Sequence, residues 1–420
     1  MSLITYEGFE NYSSFSLVKS YLNYADFNTG HVNGITILTA LDSNNVSPRN
    51  NGACLRLVSS SLTYPRISIT HPSNANHTAG VFGFAWYNFL PAGRTTATHY
   101  ATFVPIATLI DDSARPHFFV GINSLGQIEV RRRGTSNPNG AWNASLVFSC
   151  NCGKSGCSAT CYSYFEPSYY TLLAASSSLV TENAWNYIEV KYAISSTGSG
   201  GSVQIKLNRN SNDNTIDLTT TAQNTVQPSL NVRGICLGLF RGAQSEFTNG
   251  GTNSATYTVY YDDIYWCDQT GDTYNNFLGR VSCTKFNYNT VATNTFADPV
   301  NSGVALSNVN EIYGGAGALT TRNTANAIGQ ALNLQATGVA NETLPPIFVR
   351  QYVHGYKTEV NSDIGVGATD GVNSIADSGV SLTNDSANGV LRFRDYDNAP
   401  DGTEWTNQKI ANTTFRHTGI

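Results

Sequence analysis

Apolar and polar residues alternate at period two along most of this chain, the spacing of strands that line a packed sheet. The stretch Tyr257–Arg280, YTVYYDDIYWCDQTGDTYNNFLGR, shows the pattern most strongly. At period two, Tyr257, Val259, Tyr261 and Tyr265 share one face and Tyr260, Ile264 and Trp266 the other, so both faces must be covered, as inside a sandwich. Asp262 and Asp263 interrupt the strand, and buried carboxylates there need hydrogen bonds, a cation or water. After Trp266 the alternation stops. Asp268, Gly271, Asp272, Asn275 and Asn276 supply turn chemistry, which predicts a domain over 1–267, a linker over 268–280 and a second domain over 281–420.

Earlier segments repeat the pattern. Ile4–Phe9, Gly34–Leu41 and Ala53–Ser59 read as short strands between Asn, Ser, Gly and Pro clusters. Val81–Phe89 places Phe82, Phe84 and Trp86 on one face with Gly83 and Ala85 opposite, which predicts a core strand. Residues 117–122 and 127–133 form a predicted hairpin across Asn123–Gly126, and Trp185–Ile194 with Val203–Leu207 form another across a Ser, Thr and Gly loop. Leu237–Leu239 adds a further strand. In the C-terminal part, Ile347–His354 and Gly389–Tyr396 alternate likewise, with Trp405 and Phe415 as core candidates. No long run has helical apolar spacing with clean caps; Ala325–Leu334 comes nearest.

Composition agrees with an all-β protein. Charged residues are 13% of 420, with 37 Gly and 23 Tyr. A net charge of −5 on only 24 Lys and Arg leaves no basic face for nucleic acid, and Arg131–Arg133 reads as a solvated strand end. No apolar run reaches membrane-spanning length and no leader pattern opens the chain, so the expectation is a soluble protein with neither nucleic-acid nor membrane partners.

The Trp185–Val190 strand WNYIEV, the Gly-rich turn after it, VQIKLN at 203–208, the DDIY of 262–265 and the early GFE at 8–10 together resemble the concanavalin A-like jelly roll. More narrowly, DDIYWCDQTGDTYNNFLGR and the closing DGTEWTNQKIANTTFRHTG are similar to segments of minor structural proteins of tailed bacteriophages. The resemblance implies a concanavalin A-like jelly-roll β-sandwich followed by a smaller β-sandwich. It also implies a non-enzymatic virion component, a head decoration or tail-associated protein that contacts other virion proteins and forms a homo-oligomer. The alternative is a glycan-binding, lectin-like module for host-surface attachment, which requires exposed aromatics beside Asn, Asp or Gln on one face; a third class, a degraded or unusual glycan lyase using Tyr and His in place of two carboxylates, has no support in the spacing.

Catalytic patterns are weak. Glycosidases of this fold need two carboxylates flanking the scissile bond, and the usual Glu-x-Asp-x-x-Glu strand is missing. Glu189 stands alone and reads as solvent-facing. Asp262 and Asp263 are adjacent, so they are expected on opposite faces, holding neighbouring backbone or a structural cation such as calcium ahead of catalysis. No Gly-x-Ser-x-Gly elbow occurs, and His31, His71, His77, His99, His117, His354 and His417 lack metalloprotease spacing.

The sharpest local signal is SCNCGKSGCSATCY. Cys150, Cys152, Cys157 and Cys161 fall close together with Gly153 and Gly156 between them, a set that can hold structural zinc, two disulfides or four thiols; zinc is the leading expectation. Cys54, Cys236, Cys267 and Cys283 stand singly in strand-like stretches, as buried thiols do.

Overall fold

The computed structural model describes residues 3–9, 34–58, 66–71, 77–100, 103–111, 116–133, 170–195, 200–223, 231–238, 258–269, 274, 276–285, 287–300, 322–324, 330–336, 346–358, 363–383 and 390–420. The Cys150–Cys161 loop, His31 and the first half of the helical candidate Ala325–Leu334 lie outside them. The described chain is nearly all β and divides into two compact units, one through Cys283 and one from Thr284 onward.

The first unit is a jelly-roll β-sandwich. Its strands are β1 (Leu3–Glu7), β2 (Ile35–Leu38), β3 (Cys54–Val58), β4 (Arg66–Thr70), β5 (Ala79–Tyr87), β6 (Phe103–Asp111), β7 (Pro116–Asn123), β8 (Gln127–Arg133), β9 (Tyr170–Leu179), β10 (Trp185–Ala193), β11 (Gly201–Leu207), β12 (Leu218–Gln223), β13 (Val232–Gly238) and β14 (Thr258–Asp268). One short helix, α1 (Thr96–His99), intervenes. An eight-stranded sheet runs β12-β11-β10-β5-β14-β3-β2 with β1 also paired to β14, and a six-stranded sheet runs β4-β13-β6-β7-β8-β9. The pairings are antiparallel, including both predicted hairpins.

Phe82, Phe84 and Trp86 fill the core as their alternation predicts, each almost fully buried. Phe82 packs on Tyr192 and Phe84 on Tyr261, and the Tyr261 hydroxyl donates across the sandwich to the Ile106 carbonyl of β6 at 2.7 Å. A buried tyrosine thus keeps its polar end paired while its ring joins the two sheets. Arg131 corrects the solvated-end reading: it is buried, donates to Glu129 at 2.7 Å and lies over the Phe103 ring at 4.5 Å. The paired carboxylate and the ring replace the water that the guanidinium gives up.

The second unit is a smaller β-sandwich. Its strands are β15 (Tyr288–Asn294), β16 (Ala297–Val300), β17 (Arg322–Thr324), β18 (Ala331–Ala336), β19 (Val349–Gly355), β20 (Ile364–Thr369), β21 (Ser374–Val380), β22 (Val390–Tyr396) and β23 (Thr414–Gly419), with helix α2 (Asn407–Asn412) before the last. A five-stranded sheet, β15-β18-β23-β20-β21, accompanies the pairs β16-β17 and β19-β22. Trp405 and Phe415 stack in its core, and Trp405 Nε1 donates to the Tyr396 carbonyl at 2.9 Å. Ala331–Leu334, the end of the helical candidate, is strand, because Leu332 and Leu334 alternate with half-buried neighbours and pair with β23.

Candidate functional site

The face of the eight-stranded sheet turned away from the sandwich core carries an aromatic rung. Trp185 pairs with Tyr87, Tyr87 with Tyr260, and Tyr260 with Arg56, so four side chains line up across four adjacent strands. Trp185 and Tyr87 are half-buried and meet edge to face at 5.5 Å; Tyr87 and Tyr260 do the same at 5.9 Å. Hydrogen bonds fix the rings. Trp185 Nε1 donates to the Ser47 carbonyl, the Tyr87 hydroxyl to the Asn183 carbonyl, and the Tyr260 hydroxyl to Asp42 at 2.7 Å while accepting from Asn44. Arg56 lies 3.2 Å from the Asp42 carboxylate. Tyr260 is fully buried, packed with Val46 and Cys54, while the Trp185 and Tyr87 rings are partly open, with Asn183 beside Tyr87 and half-buried Arg56 across the rung, a combination suited to the apolar faces and hydroxyl rims of sugar rings.

One bulge decides what else lies on this face. Between Asp262 and Tyr265 the register of β14 against Ala85 and Gly83 of β5 gains one residue, and Asp263 takes a left-handed φ of 47°. Adding one residue flips all later side chains to the opposite face. Period two without the bulge puts Tyr261 and Tyr265 together; the bulge instead sends Tyr261 to the core and Tyr265 to the outer face. Asp is tolerated in the left-handed region, and the Asp262 carboxylate accepts the Asp263 N–H at 2.8 Å. Asp263 itself pairs with Arg49 and accepts the Cys283 N–H at 2.6 Å. Both aspartates therefore hold backbone, the first of the roles expected of them.

Glu189 corrects its solvent-facing expectation. It is 1% exposed, and one carboxylate oxygen accepts both the Tyr265 hydroxyl at 2.6 Å and the Gly279 N–H at 2.8 Å. Burial pushes its pKa up to about 7, against the opposing pull of those two hydrogen bonds and of Lys206. Its cover comes from residues 276–283, where Phe277 packs with Tyr187 and Tyr265, and Leu278 and Val281 pack alongside. Gly279 has φ 86°, and a Cβ there would stand 2.2 Å from the Ser211 nitrogen, so only glycine brings this N–H down to the carboxylate. Opposite, a Cβ on Gly83 would stand 2.3 Å from the Tyr265 ring, so that glycine makes room for the tyrosine.

At the far end of β14 sits a second cluster. Asp268, His71 and His77 are all buried, with His71 Nε2 3.2 Å and His77 Nδ1 3.3 Å from one Asp268 oxygen and the two imidazole rings 3.6 Å apart. Burial foremost, then His71, lowers the His77 pKa, while Asp268 raises it less. The histidines are six positions apart in sequence and Asp268 is 197 beyond His71, so no local motif announces the cluster. Among the described residues it is the one group with metal-ligating composition and proximity. Cys54, Cys236 and Cys267 are buried, in line with their sequence context, whereas Cys283 lies outside any strand and is only half-buried.

No protein-family model matches the chain, and no curated protein matches it. Solved structures do. An endo-β-1,4-glucuronan lyase from the fungus Trichoderma reesei aligns over 63% of this chain and 95% of its own at 13% identity and a TM-score of 0.39. An alginate lyase from Aplysia kurodai aligns over 64% and 100% at 10% identity and 0.39, and a glycoside hydrolase family 131 catalytic domain from Coprinopsis cinerea over 67% and 99% at 10% and 0.34. These three are carbohydrate-active enzymes and not virion components. That finding corrects the expectation of a non-enzymatic structural component of a bacteriophage virion; within the joint motif that carried it, Asp262–Tyr265 form the bulge and Phe277 and Gly279 cover Glu189.

Proposed function

We propose that this chain is a glycan-binding, lectin-like module that holds carbohydrate on the outer face of its eight-stranded sheet. The observation that carries the reading is the half-buried pair Trp185–Tyr87 with Arg56 at the other end of the rung, Tyr260 lying buried between them beside Asp42 and Asn44. Rigid rings pinned by their own hydrogen bonds lose little entropy when a sugar stacks on them. The reading is of binding without turnover. Glu189 is engaged by Tyr265 and Gly279 beneath the 276–283 strap, and Asp263 is engaged by Arg49 and Cys283, so these carboxylates serve the fold.

The test is a glycan array of neutral and acidic oligosaccharides followed by calorimetric titration of the hits. Trp185→Ala is expected to weaken binding about ten-fold or more, equivalent to about 1.4 kcal/mol, without altering the circular dichroism spectrum. Affinity unchanged in both Trp185→Ala and Tyr87→Ala would overturn the assignment of this face. New reducing or unsaturated sugar ends after incubation would overturn the absence of turnover.

A further inference from the structure

We propose that His71, His77 and Asp268 form a structural site for a divalent transition metal, zinc being the best match, that clips the two sheets of the first unit together. The inference is independent of the glycan reading and concerns the opposite end of β14.

The donor set comes first. Two imidazoles and a carboxylate are ligands of zinc and its neighbours, and a harder ion such as calcium would call for an all-oxygen shell. Geometry agrees. In a tetrahedral zinc site with ligand distances of about 2.0–2.1 Å, adjacent donors stand about 3.3 Å apart. The distances from Asp268 to His71 Nε2 and His77 Nδ1 are 3.2 and 3.3 Å, and the three donor atoms lie within 4.8 Å of one another. Two edges of the coordination polyhedron are thus already at their length.

The second observation is His77. Its side chain is 3% exposed, yet among the described residues neither ring nitrogen finds a hydrogen bond of sound geometry, although a neutral imidazole carries one N–H that burial would ordinarily require to be paired. A ring that gains no hydrogen bond, stacked 3.6 Å from a second histidine and facing a carboxylate, is costly as an end in itself. A metal ion on Nδ1 accounts for the arrangement, because coordination replaces the missing partner and the positive ion offsets the buried carboxylate charge.

The placement explains what such an ion would do. Asp268 ends β14 of the eight-stranded sheet, while His71 directly follows β4 of the six-stranded sheet, its N–H held by the Arg233 carbonyl at 2.8 Å. His77 lies just before β5, its carbonyl accepting the Val232 N–H of β13 at 2.7 Å. One ion would tie three chain segments across the mouth of the sandwich. The three protein donors fill three of the four tetrahedral positions and leave the fourth to water.

The experiment compares zinc content of the full-length chain and of His77→Gln after chelator treatment, reloading with zinc and gel filtration. Glutamine keeps a similar polar volume at the buried position and is a far poorer ligand. The wild type is expected to hold one zinc equivalent more than the variant at matched circular dichroism, whatever the Cys150–Cys161 loop contributes to both. Equal zinc in two folded proteins would overturn the proposal. If His77→Gln does not fold, cobalt(II) titration of the wild-type chain decides. Visible d–d bands that saturate at one equivalent without the intense near-ultraviolet thiolate band support the site, and a spectrum of thiolate character alone, or none, overturns it.

Discussion

Glu189→Gln tests the buried carboxyl beneath the strap. Glu189 has its ordinary pKa of 4.5 raised to about 7, with burial as the first cause. A raised carboxyl pKa means that the folded state holds the proton more tightly than the unfolded chain does. The stabilisation is therefore fully present below pH 4.5 and is lost as pH rises through 7. At 1.36 kcal/mol for each pKa unit, the loss amounts to about 3 kcal/mol between about pH 4.5 and 8. Glutamine carries no proton to lose. It also retains a carbonyl oxygen where Glu189 Oε1 accepts from Tyr265 and Gly279. Urea unfolding of both proteins across that window, taken as the difference between them, cancels every other titrating group and the second unit. The variant should gain on the wild type by about 3 kcal/mol from the acid to the alkaline end, a midpoint shift of about 1 M urea at an m-value near 3 kcal/mol/M. Parallel curves would refute the burial argument, as would a Glu189 carboxyl resonance that titrates near the ordinary carboxylate value.

Asp263→Ala should cost about 3–5 kcal/mol, because it takes the carboxylate partner from the Arg49 guanidinium, frees the Cys283 N–H and forces a left-handed backbone on alanine, whereas Asp263→Asn should cost clearly less; equal losses by chemical denaturation would count against the bulge as the organising feature. Trp405→Ala should destabilise the second unit by about 3–5 kcal/mol through the cavity left beside Phe415 and Tyr396, while hydrogen exchange at the amides of Phe82 and Phe84 stays unchanged; a parallel loss of protection there would show that the two units unfold as one.

What the sequence determined by itself is the local part of the structure. The alternation in Val81–Phe89, Trp185–Ile194 and Val203–Leu207 specifies strands and their core faces, because side-chain direction in a strand depends only on residue parity. The hairpin from Pro116 to Arg133 was legible for the same reason, with Gly126 at φ 82° where its turn requires it. Trp405 and Phe415 could be picked out as core by size and polarity. Tertiary structure decided the rest. Parity failed at Asp262–Tyr265, since a bulge is set by pairing with β5 and not by the residues that bulge, and every side chain beyond it changed face. Glu189 is exposed by the parity of its own strand and buried only because residues 276–283 return over it, an encounter that no local pattern encodes. The aromatic rung and the His71–His77–Asp268 cluster share that origin: each is a row or a corner made from segments distant in sequence, whose members look unremarkable one at a time. Backbone propensity and periodicity act over a few residues, whereas a site is a coincidence of side chains that only the closed sandwich brings within reach.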